Sequence, residues 1–304
     1  MRKTSINILS ITGGGIRGLI TLYVLRDLEK QLSKPIHSHF EYITGTSTGA
    51  IIASLLSCGY SVQDIIDMYE IHGPLIFKKS FLRFGVFRPK YDDSHLNSLI
   101  HGALEGKELH TNLIIPSYNA SKREKHIFKS YGEDDRDVSL FDIVRSSASA
   151  PSYFKPVKIK GDYYIDGGLV INNPSFISYI EAFKFMNSKA STFNSINLFS
   201  FGTGRMDNEI EVKSNGGGKL FWVKPTIDVL LNEQAKITDH YLSRMFKFKG
   251  VGNYFNIEPV IEFSSSKIDD TSKRNMDRMK IDGEISVTRH EAKIRKIAKI
   301  LNND

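Results

Sequence analysis

Cysteine is almost absent from this chain. Cys58 is the single cysteine among 304 residues, which excludes an internal disulfide framework and is compatible with a reducing compartment. It lies at the end of a small, apolar segment predicted to be helical, where packing is a more common role for cysteine than chemistry.

Long hydrophobic runs are also missing. No apolar stretch approaches the roughly 20 residues that a membrane-spanning helix needs. The apolar run at residues 6–11 follows a basic N-terminus, but it is too short for the hydrophobic segment of a signal peptide and leads directly into glycines. We therefore expect a cytoplasmic protein with no transmembrane segment, for which any membrane contact is peripheral.

Acidic residues are outnumbered, with 34 Asp and Glu against 41 Lys and Arg and a formal net charge of +7. This balance favours anionic partners such as phospholipid headgroups or nucleotides, without choosing among them. The cations of residues 267–302, a charged segment predicted to be helical from an N-cap at Asp270 or Thr271, are interspersed with acids. They are typical of a solvated helix face, and we expect no nucleic-acid polymer as a partner.

Repeats, linkers and low-complexity blocks are not evident, and the 40% hydrophobic and 25% charged residues are typical of a globular protein. We therefore predict one domain over residues 1–304. The motifs described below lie in a core of about residues 6–180, and the remaining strand and helices of residues 190–304 belong to the same domain.

A glycine-rich loop follows the first predicted strand, residues 6–11. Its sequence is Thr12-Gly13-Gly14-Gly15-Ile16-Arg17-Gly18, and a helical pattern follows it. Such loops present backbone N–H groups to an anion. The glycine spacing also matches a dinucleotide fingerprint, for which Glu41 could by count supply the acidic residue. Three consecutive glycines suit a small anionic centre better, and a tight turn without a ligand is the remaining alternative.

A serine lies at the next predicted strand-to-helix junction. Gly45-Thr46-Ser47-Thr48-Gly49 follows an aromatic and β-branched segment and precedes a small, apolar one. A serine in such a turn is strained and exposes its hydroxyl, and the flanking glycines let strand and helix approach closely. The motif predicts a nucleophile elbow; the alternative is a polar turn that caps a helix.

An aspartate follows the predicted hairpin of residues 157–165. Asp166-Gly167-Gly168 can place a carboxylate against another turn, although an ordinary Asp-Gly turn is the alternative. Before it, residues 146–151 are unusually small and predict a wall close to the nucleophile. None of the nine histidines has flanking residues that mark it as a catalytic base.

The segment of residues 75–90 interleaves phenylalanines with cations. It could dock on an anionic lipid surface, but we favour a loop whose aromatic side chains reach into the core. The helix before it, residues 61–72, is expected to begin after Ser61 as N-cap and to end at Gly73-Pro74.

Taken in order, the three motifs resemble the patatin-like phospholipase family, and the resemblance covers nearly the whole chain. It implies a three-layer α/β/α fold with a central, mostly parallel sheet. It also implies a lipid acyl hydrolase that acts on phospholipids or galactolipids through a Ser–Asp dyad and an acyl-enzyme, without a metal or other cofactor. The residues carried over are the nucleophile Ser47, its activating partner Asp166 in the Asp166-Gly167-Gly168 motif, the elbow glycines Gly45 and Gly49, and an oxyanion loop of Gly13, Gly14, Gly15, Arg17 and Gly18.

The chain departs from the family pattern at Thr12, where the family usually has aspartate. Threonine can still hydrogen-bond the local backbone. Other hypotheses stay open: an effector activated by a cyclic dinucleotide, a catalytically weak storage or binding protein, a Ser-His-Asp hydrolase, and a dinucleotide-binding oxidoreductase. The sequence leaves the oligomeric state and the preferred headgroup and acyl chain undetermined.

Overall fold

Strands and helices alternate along most of the chain. The computed structural model of the protein describes residues 4–78, 88–205, 219–250 and 252–303. The strands in these ranges are β1 (Ser5–Ile11), β2 (Tyr42–Gly45), β3 (Asn112–Asn119), β4 (Glu124–Lys129), β5 (Val157–Ile159), β6 (Asp162–Asp166), β7 (Ser195–Phe201) and β8 (Gly252–Ile257). The helices are α1 (Gly18–Lys30), α2 (Thr48–Ser57), α3 (Val62–Ile76), α4 (Ser94–Leu104), α5 (Leu140–Ser147), α6 (Ser175–Met186), α7 (Lys219–Lys249) and α8 (Lys273–Asn303).

The strands form one sheet with the order β5-β6-β3-β2-β1-β7-β8, and β4 pairs with β3. The pairs from β3 through β2, β1 and β7 to β8 are parallel, whereas β4, β5 and β6 add antiparallel pairs at one side. The central sheet is therefore mostly parallel, as predicted. In such a sheet, ligands bind beyond the carboxyl ends of the strands, and the glycine loop and Ser47 both follow such ends.

Helices cover both faces of the sheet. Strand β1 sends Leu9 and Ile11 into one core, with α1 and α8 among the helices over that face, and sends Ile6 and Ile8 into a second core against α6 and α7. Burial on both faces explains why β1 carries aliphatic residues on both sides, alongside the buried Asn7 and Ser10. The predicted three-layer architecture is confirmed.

Helix α3 runs to Ile76 and does not end at Gly73-Pro74 as predicted. Pro74 lies in the last turn, and the helix continues past it with a hydrogen bond from Phe77 N to Gly73 O. The capping box at Ser61, the predicted N-cap, is present.

The C-terminal helix begins later than predicted, at Lys273. Asp270 is not its cap: one carboxylate oxygen of Asp270 accepts hydrogen bonds from the backbone N and the hydroxyl of Ser272, which folds a turn before the helix. Sequence reasoning also missed β8, which pairs with β7 in parallel. Phe81, Phe84, Phe87 and the glycines at 216–218 lie outside the described residues.

No helix within the described ranges is both long and apolar enough to cross a membrane.

Candidate active site

The Ser47 turn connects β2 directly to α2. Ser47 has φ 56° and ψ −121°, an unfavourable conformation for a residue with a side chain, which places its hydroxyl at the apex of the turn. A Cβ added at Gly45 would lie 2.0 Å from the Gly49 carbonyl oxygen, and one added at Gly49 would lie 2.4 Å from the Ile11 oxygen. Both glycines are therefore needed because β1, β2 and α2 approach one another too closely for side chains.

Ser47 is hydrogen-bonded to Asp166. Its Oγ donates to Asp166 Oδ2 at 2.6 Å. Asp166 ends β6, its side chain is 6% exposed, and its Oδ1 accepts a hydrogen bond from Gly168 N at 2.7 Å. Both carboxylate oxygens are thus engaged, and Gly167 and Gly168 form the short 3₁₀ helix that supplies one of the donors.

Burial changes the acidity of Asp166. Removal from water raises the pKa of this carboxyl group to about 6, although the hydrogen bonds from Ser47 and Gly168 and the charge of Arg145 act in the opposite direction. The carboxylate is thereby a stronger base than an exposed aspartate, and at neutral pH it is still mostly ionised. This is a suitable state for accepting a proton from a serine hydroxyl.

Arg145 supplies positive charge near Asp166, and sequence reasoning missed it. It is buried on α5, where it donates to Asn97 Oδ1 at 2.6 Å and to Ser149 Oγ at 2.7 Å and pairs with Asp93 at 3.3 Å. Burial lowers its pKa, whereas Asp93 acts to raise it. In the sequence, this arginine has no feature that separates it from a solvated one.

The small residues after Arg145 lie beside the nucleophile. Ser147 Oγ accepts a hydrogen bond from Ser47 N at 3.0 Å and donates to Pro116 O at 2.7 Å, which ties the elbow to β3. Ala148, Ala150 and Pro151 line the cavity in front of Ser47. The wall predicted at residues 146–151 is in this position.

Two residues of the glycine loop, Gly14 and Gly15, line the same cavity. Gly13 N donates to Asn172 O, Ile16 N donates to Ile268 O, and Gly18 N is bonded within the loop. In the described part of the chain, the amides of Gly14 and Gly15 have no such acceptor, and both residues line the Ser47 cavity. The amides of Gly13 and Gly18 are thus used within the fold, and those of Gly14 and Gly15 are the candidates for an oxyanion site.

Arg17 supports the loop from within. It is 6% exposed, and its Nε donates to Gly14 O at 3.4 Å. Thr12 has a related role, because its Oγ1 accepts a hydrogen bond from Thr203 N at 3.0 Å. The Thr203 hydroxyl in turn donates to Gly13 O at 2.7 Å. The hydroxyl at position 12 therefore connects the loop to the end of β7.

A second carboxylate approaches the loop from the end of β8. Glu258 Oε1 accepts a hydrogen bond from Gly204 N at 3.0 Å. Burial raises the pKa of Glu258 to about 7, opposed by that hydrogen bond and by the charges of Arg17 and Arg205. This carboxyl group near Arg17 could not be predicted, because β8 itself was missed.

The cavity in front of Ser47 is mostly apolar, with a volume of about 120 Å³. Its walls include Phe77, Tyr153, Phe154, Leu231 and Ile268. Leu231 and Ile268 come from α7 and from the segment before α8, far from the three motifs in sequence. Asn172 Nδ2 donates to Leu231 O at 3.2 Å and thereby fixes α7 against the cavity.

All nine histidines lie in described residues, and none lines this cavity. Within the described ranges, no cluster of three or more His, Cys, Asp or Glu residues could hold a metal ion. Glu41, the acid considered for a dinucleotide fingerprint, accepts a hydrogen bond from Asn7 N at 2.7 Å.

The fold and site together define a three-layer α/β protein with a serine at a strand-to-helix elbow. The family model described as patatin-like phospholipase matches residues 9–177, and the chain belongs to this family. Membership supports lipid acyl hydrolase activity.

Known relatives match most of the chain. Patatin-like protein 2 of Arabidopsis thaliana is 29% identical over 328 residues, covering 90% of this chain and 80% of the relative. Two Solanum tuberosum proteins are each 28% identical to this chain. The alignment with patatin-1-Kuras 2 covers 92% of this chain and 85% of that protein. The alignment with probable inactive patatin-3-Kuras 1 covers 89% of this chain and 83% of that protein. Among solved structures, VipD from Legionella pneumophila aligns with a TM-score of 0.44 and 14% identity over 93% of this chain and 67% of that one.

Proposed function

We propose that this protein hydrolyses carboxylic ester bonds of phospholipids or related acyl lipids, with Ser47 as nucleophile and Asp166 as general base. The observation that carries the proposal is the 2.6 Å hydrogen bond from Ser47 Oγ to the buried Asp166 carboxylate. A hydroxyl needs a base at this distance to react at neutral pH. Family membership alone does not establish activity, because one Solanum tuberosum relative is named probable inactive patatin-3-Kuras 1.

In the first half-reaction, Ser47 Oγ attacks the ester carbonyl carbon and its proton passes to Asp166 Oδ2. The negative charge that develops on the carbonyl oxygen is received by the Gly14 and Gly15 amides, which are fixed in place and need little reorganisation. The tetrahedral intermediate then collapses. The bond to the lipid alcohol breaks, the alcohol oxygen takes the proton from Asp166, and the acyl group stays on Ser47.

In the second half-reaction, water attacks the acyl-enzyme carbonyl and gives its proton to Asp166. The same two amides hold the second oxyanion. When the intermediate collapses, the bond between the acyl carbon and Ser47 Oγ breaks, the proton returns to Oγ, and a free fatty acid is released. Asp166 therefore acts alternately as base and acid.

An acyl lipid at a membrane surface suits this site. The cavity in front of Ser47 is lined mostly by apolar side chains, which favours an acyl chain over a polar substrate. The net charge of +7 favours approach to anionic phospholipids.

Fatty-acid release from vesicles of phosphatidylcholine and phosphatidylglycerol tests the proposal. We expect Ser47→Ala and Asp166→Asn each to lower the rate by at least about 10³-fold, because removal of a nucleophile or its base has effects of that size or larger. Mass spectrometry of the products would identify the bond that is cleaved.

Two matched variants serve as controls. Ser54→Ala removes a buried hydroxyl from α2, the helix that follows Ser47, and Asp162→Asn removes a carboxylate from β6, the strand that Asp166 ends. Both should retain wild-type rates within about twofold. Unchanged hydrolysis by Ser47→Ala would show that the nucleophile is misassigned.

A further inference from the structure

A second apolar cavity adjoins the one that contains Ser47. It has a volume of about 50 Å³ and shares two walls with the first cavity, Gly15 and the Phe77 side chain. Its other apolar walls come from the loop before α1 and from α2, α3 and α4. They are Ile16, Ile51, Met68, Ile76, Leu96 and Leu99.

The polar groups of this second cavity already have partners. The hydroxyls of Thr48 and Tyr69 hydrogen-bond each other, and the Tyr69 hydroxyl also lies 3.2 Å from the Thr48 carbonyl oxygen. A charged or hydroxylated headgroup placed there would lose its hydration without finding free partners among these side chains, which is unfavourable. A hydrocarbon chain would instead be stabilised there, because its apolar surface would be removed from water.

The second cavity lies close to the position of the ester in the proposed reaction. With the carbonyl oxygen at the Gly14 and Gly15 amides, the ester carbon lies beside Gly15, which lines both cavities. Gly15 has φ +60°, and an added Cβ would lie 2.2 Å from Ile268 O. The Ile268 backbone oxygen and Cβ occupy the space beside Gly15, and Phe77 is the side chain that lines both cavities.

Phe77 is held in position by other aromatic rings. It makes an edge contact with Tyr91, with ring centroids 5.3 Å apart, and lies 6.0 Å from Phe154. The Tyr91 hydroxyl donates to Asp269 Oδ2 at 2.6 Å, which ties this cluster to the segment before α8. Phe77 therefore forms a supported partition between the two cavities.

We propose that the second cavity continues the acyl-chain site and that the Phe77 ring sets the length of acyl chain that the enzyme accepts. This inference rests on the proposed hydrolysis at Ser47. Short acyl chains fill the first cavity and end against the ring. Longer chains need the space that the ring occupies and the cavity behind it.

The test is the ratio of kcat/KM for p-nitrophenyl dodecanoate to that for p-nitrophenyl butyrate. Phe77→Ala should raise this ratio at least about tenfold, because several additional methylene groups become buried. Phe77→Trp should lower it. Phe77→Leu should raise it to a smaller extent and is the variant to use if alanine impairs folding.

A second substitution checks where the longer chain goes. Leu99→Trp fills the second cavity from α4, and in the Phe77→Ala background it should return the ratio to near the wild-type value. Ser98→Trp, an exposed position on the same helix, should leave the raised ratio unchanged.

Two results would overturn the inference: a ratio that Phe77→Ala leaves unchanged, or one that Leu99→Trp does not reduce. Failure of the proposed function has a different signature. In that case butyrate hydrolysis would be absent from the wild type or would persist in Ser47→Ala.

Discussion

At the scale of single residues, the Asp166 carboxylate is the group whose environment matters most for the proposed chemistry. Both of its oxygens accept hydrogen bonds and its pKa is raised to about 6, chiefly by burial. A proton acceptor must be ionised in the free enzyme. The rate should therefore depend on pH in the range where Asp166 titrates.

We predict that kcat/KM for a soluble short-chain ester falls tenfold per pH unit below about pH 6, because protonated Asp166 cannot accept the Ser47 proton. Stopped-time assays from pH 4.5 to 8 measure the pH midpoint of this fall in kcat/KM. Both ends of that pH range lie about 1.5 pH units or more from the expected midpoint. Glu258, with its pKa raised to about 7, is the competing assignment. Glu258→Gln should leave the midpoint in place; a midpoint that disappears in this variant would assign the titration to Glu258.

The same shift predicts a cost in stability. An unfolded aspartate has a pKa near 3.9, so between that pH and about pH 6 the folded protein binds more protons at Asp166 than the unfolded chain does. The stability that this extra proton binding contributes to the free energy of unfolding is fully present below about pH 3.9. It is lost as the pH rises through about 6.

Asp166→Asn cannot titrate and should escape that loss. We predict that its free energy of unfolding, relative to wild type, increases by up to about 3 kcal/mol between pH 4 and pH 8. Urea denaturation at several pH values measures the difference. Ser47→Ala, which keeps the carboxylate, should not show this increase. A difference for Asp166→Asn that is constant with pH would contradict the buried, raised-pKa description.

At the scale of elements, the elbow depends on contact between backbones. Gly45→Ala would bring a methyl group to 2.0 Å from Gly49 O, so β2 and α2 would have to separate. We predict a loss of several kcal/mol in the free energy of unfolding together with loss of esterase activity, measured by urea denaturation and a soluble ester. Gly102→Ala on α4, where an added Cβ has no neighbour within 4 Å, should be neutral or stabilising by up to about 1 kcal/mol.

The elements near the site were predictable because their signals are local. Each of three local patterns indicates a backbone geometry from only a few neighbouring residues. These patterns are the glycines of the first loop, the Gly45 and Gly49 pair around Ser47, and the turn after Asp166. The sequence could not show that Arg145 is buried near Asp166, because arginines on helices are usually solvated. Glu258 and Leu231 reach the site through β8 and α7, whose placement depends on packing between distant segments.

Helix ends were less predictable for a related reason. Gly73-Pro74 is a strong stop signal, but packing overrides it: Gly73 lies close to Ile16, where an added Cβ would be 2.8 Å from Ile16 Cδ1. The start of α8 was placed too early because the Asp270–Ser272 turn uses the same residue types as a helix cap.

At the scale of the whole molecule, the sheet unites the two halves of the chain. Strand β1 lies between β2 and β7, and β8 pairs with β7, so residues beyond the motif-bearing core complete the sheet beside the active site. We propose that residues 1–304 form a single domain. The packing of α8 against α1 supports this, since Gly283 allows the helix to approach Tyr23 closely.

A single domain predicts cooperative unfolding. Urea transitions followed by far-UV circular dichroism and by the fluorescence of Trp222 should coincide. A fragment of residues 1–190, which lacks β7, β8, α7 and α8, should not fold because β1 would lose its neighbour on one side. A stable, cooperatively folded fragment would instead indicate two independent units.

The most direct test of the Ser47–Asp166 dyad is the site and rate of covalent labelling by a fluorophosphonate, measured by mass spectrometry of the digested protein. We predict one label, on Ser47, and a rate that falls by at least about 10²-fold in Asp166→Asn, as expected for loss of a general base. All nine single His→Ala variants should keep labelling at near the wild-type rate. A label on another residue, or a histidine variant as slow as Asp166→Asn, would contradict the Ser47–Asp166 dyad.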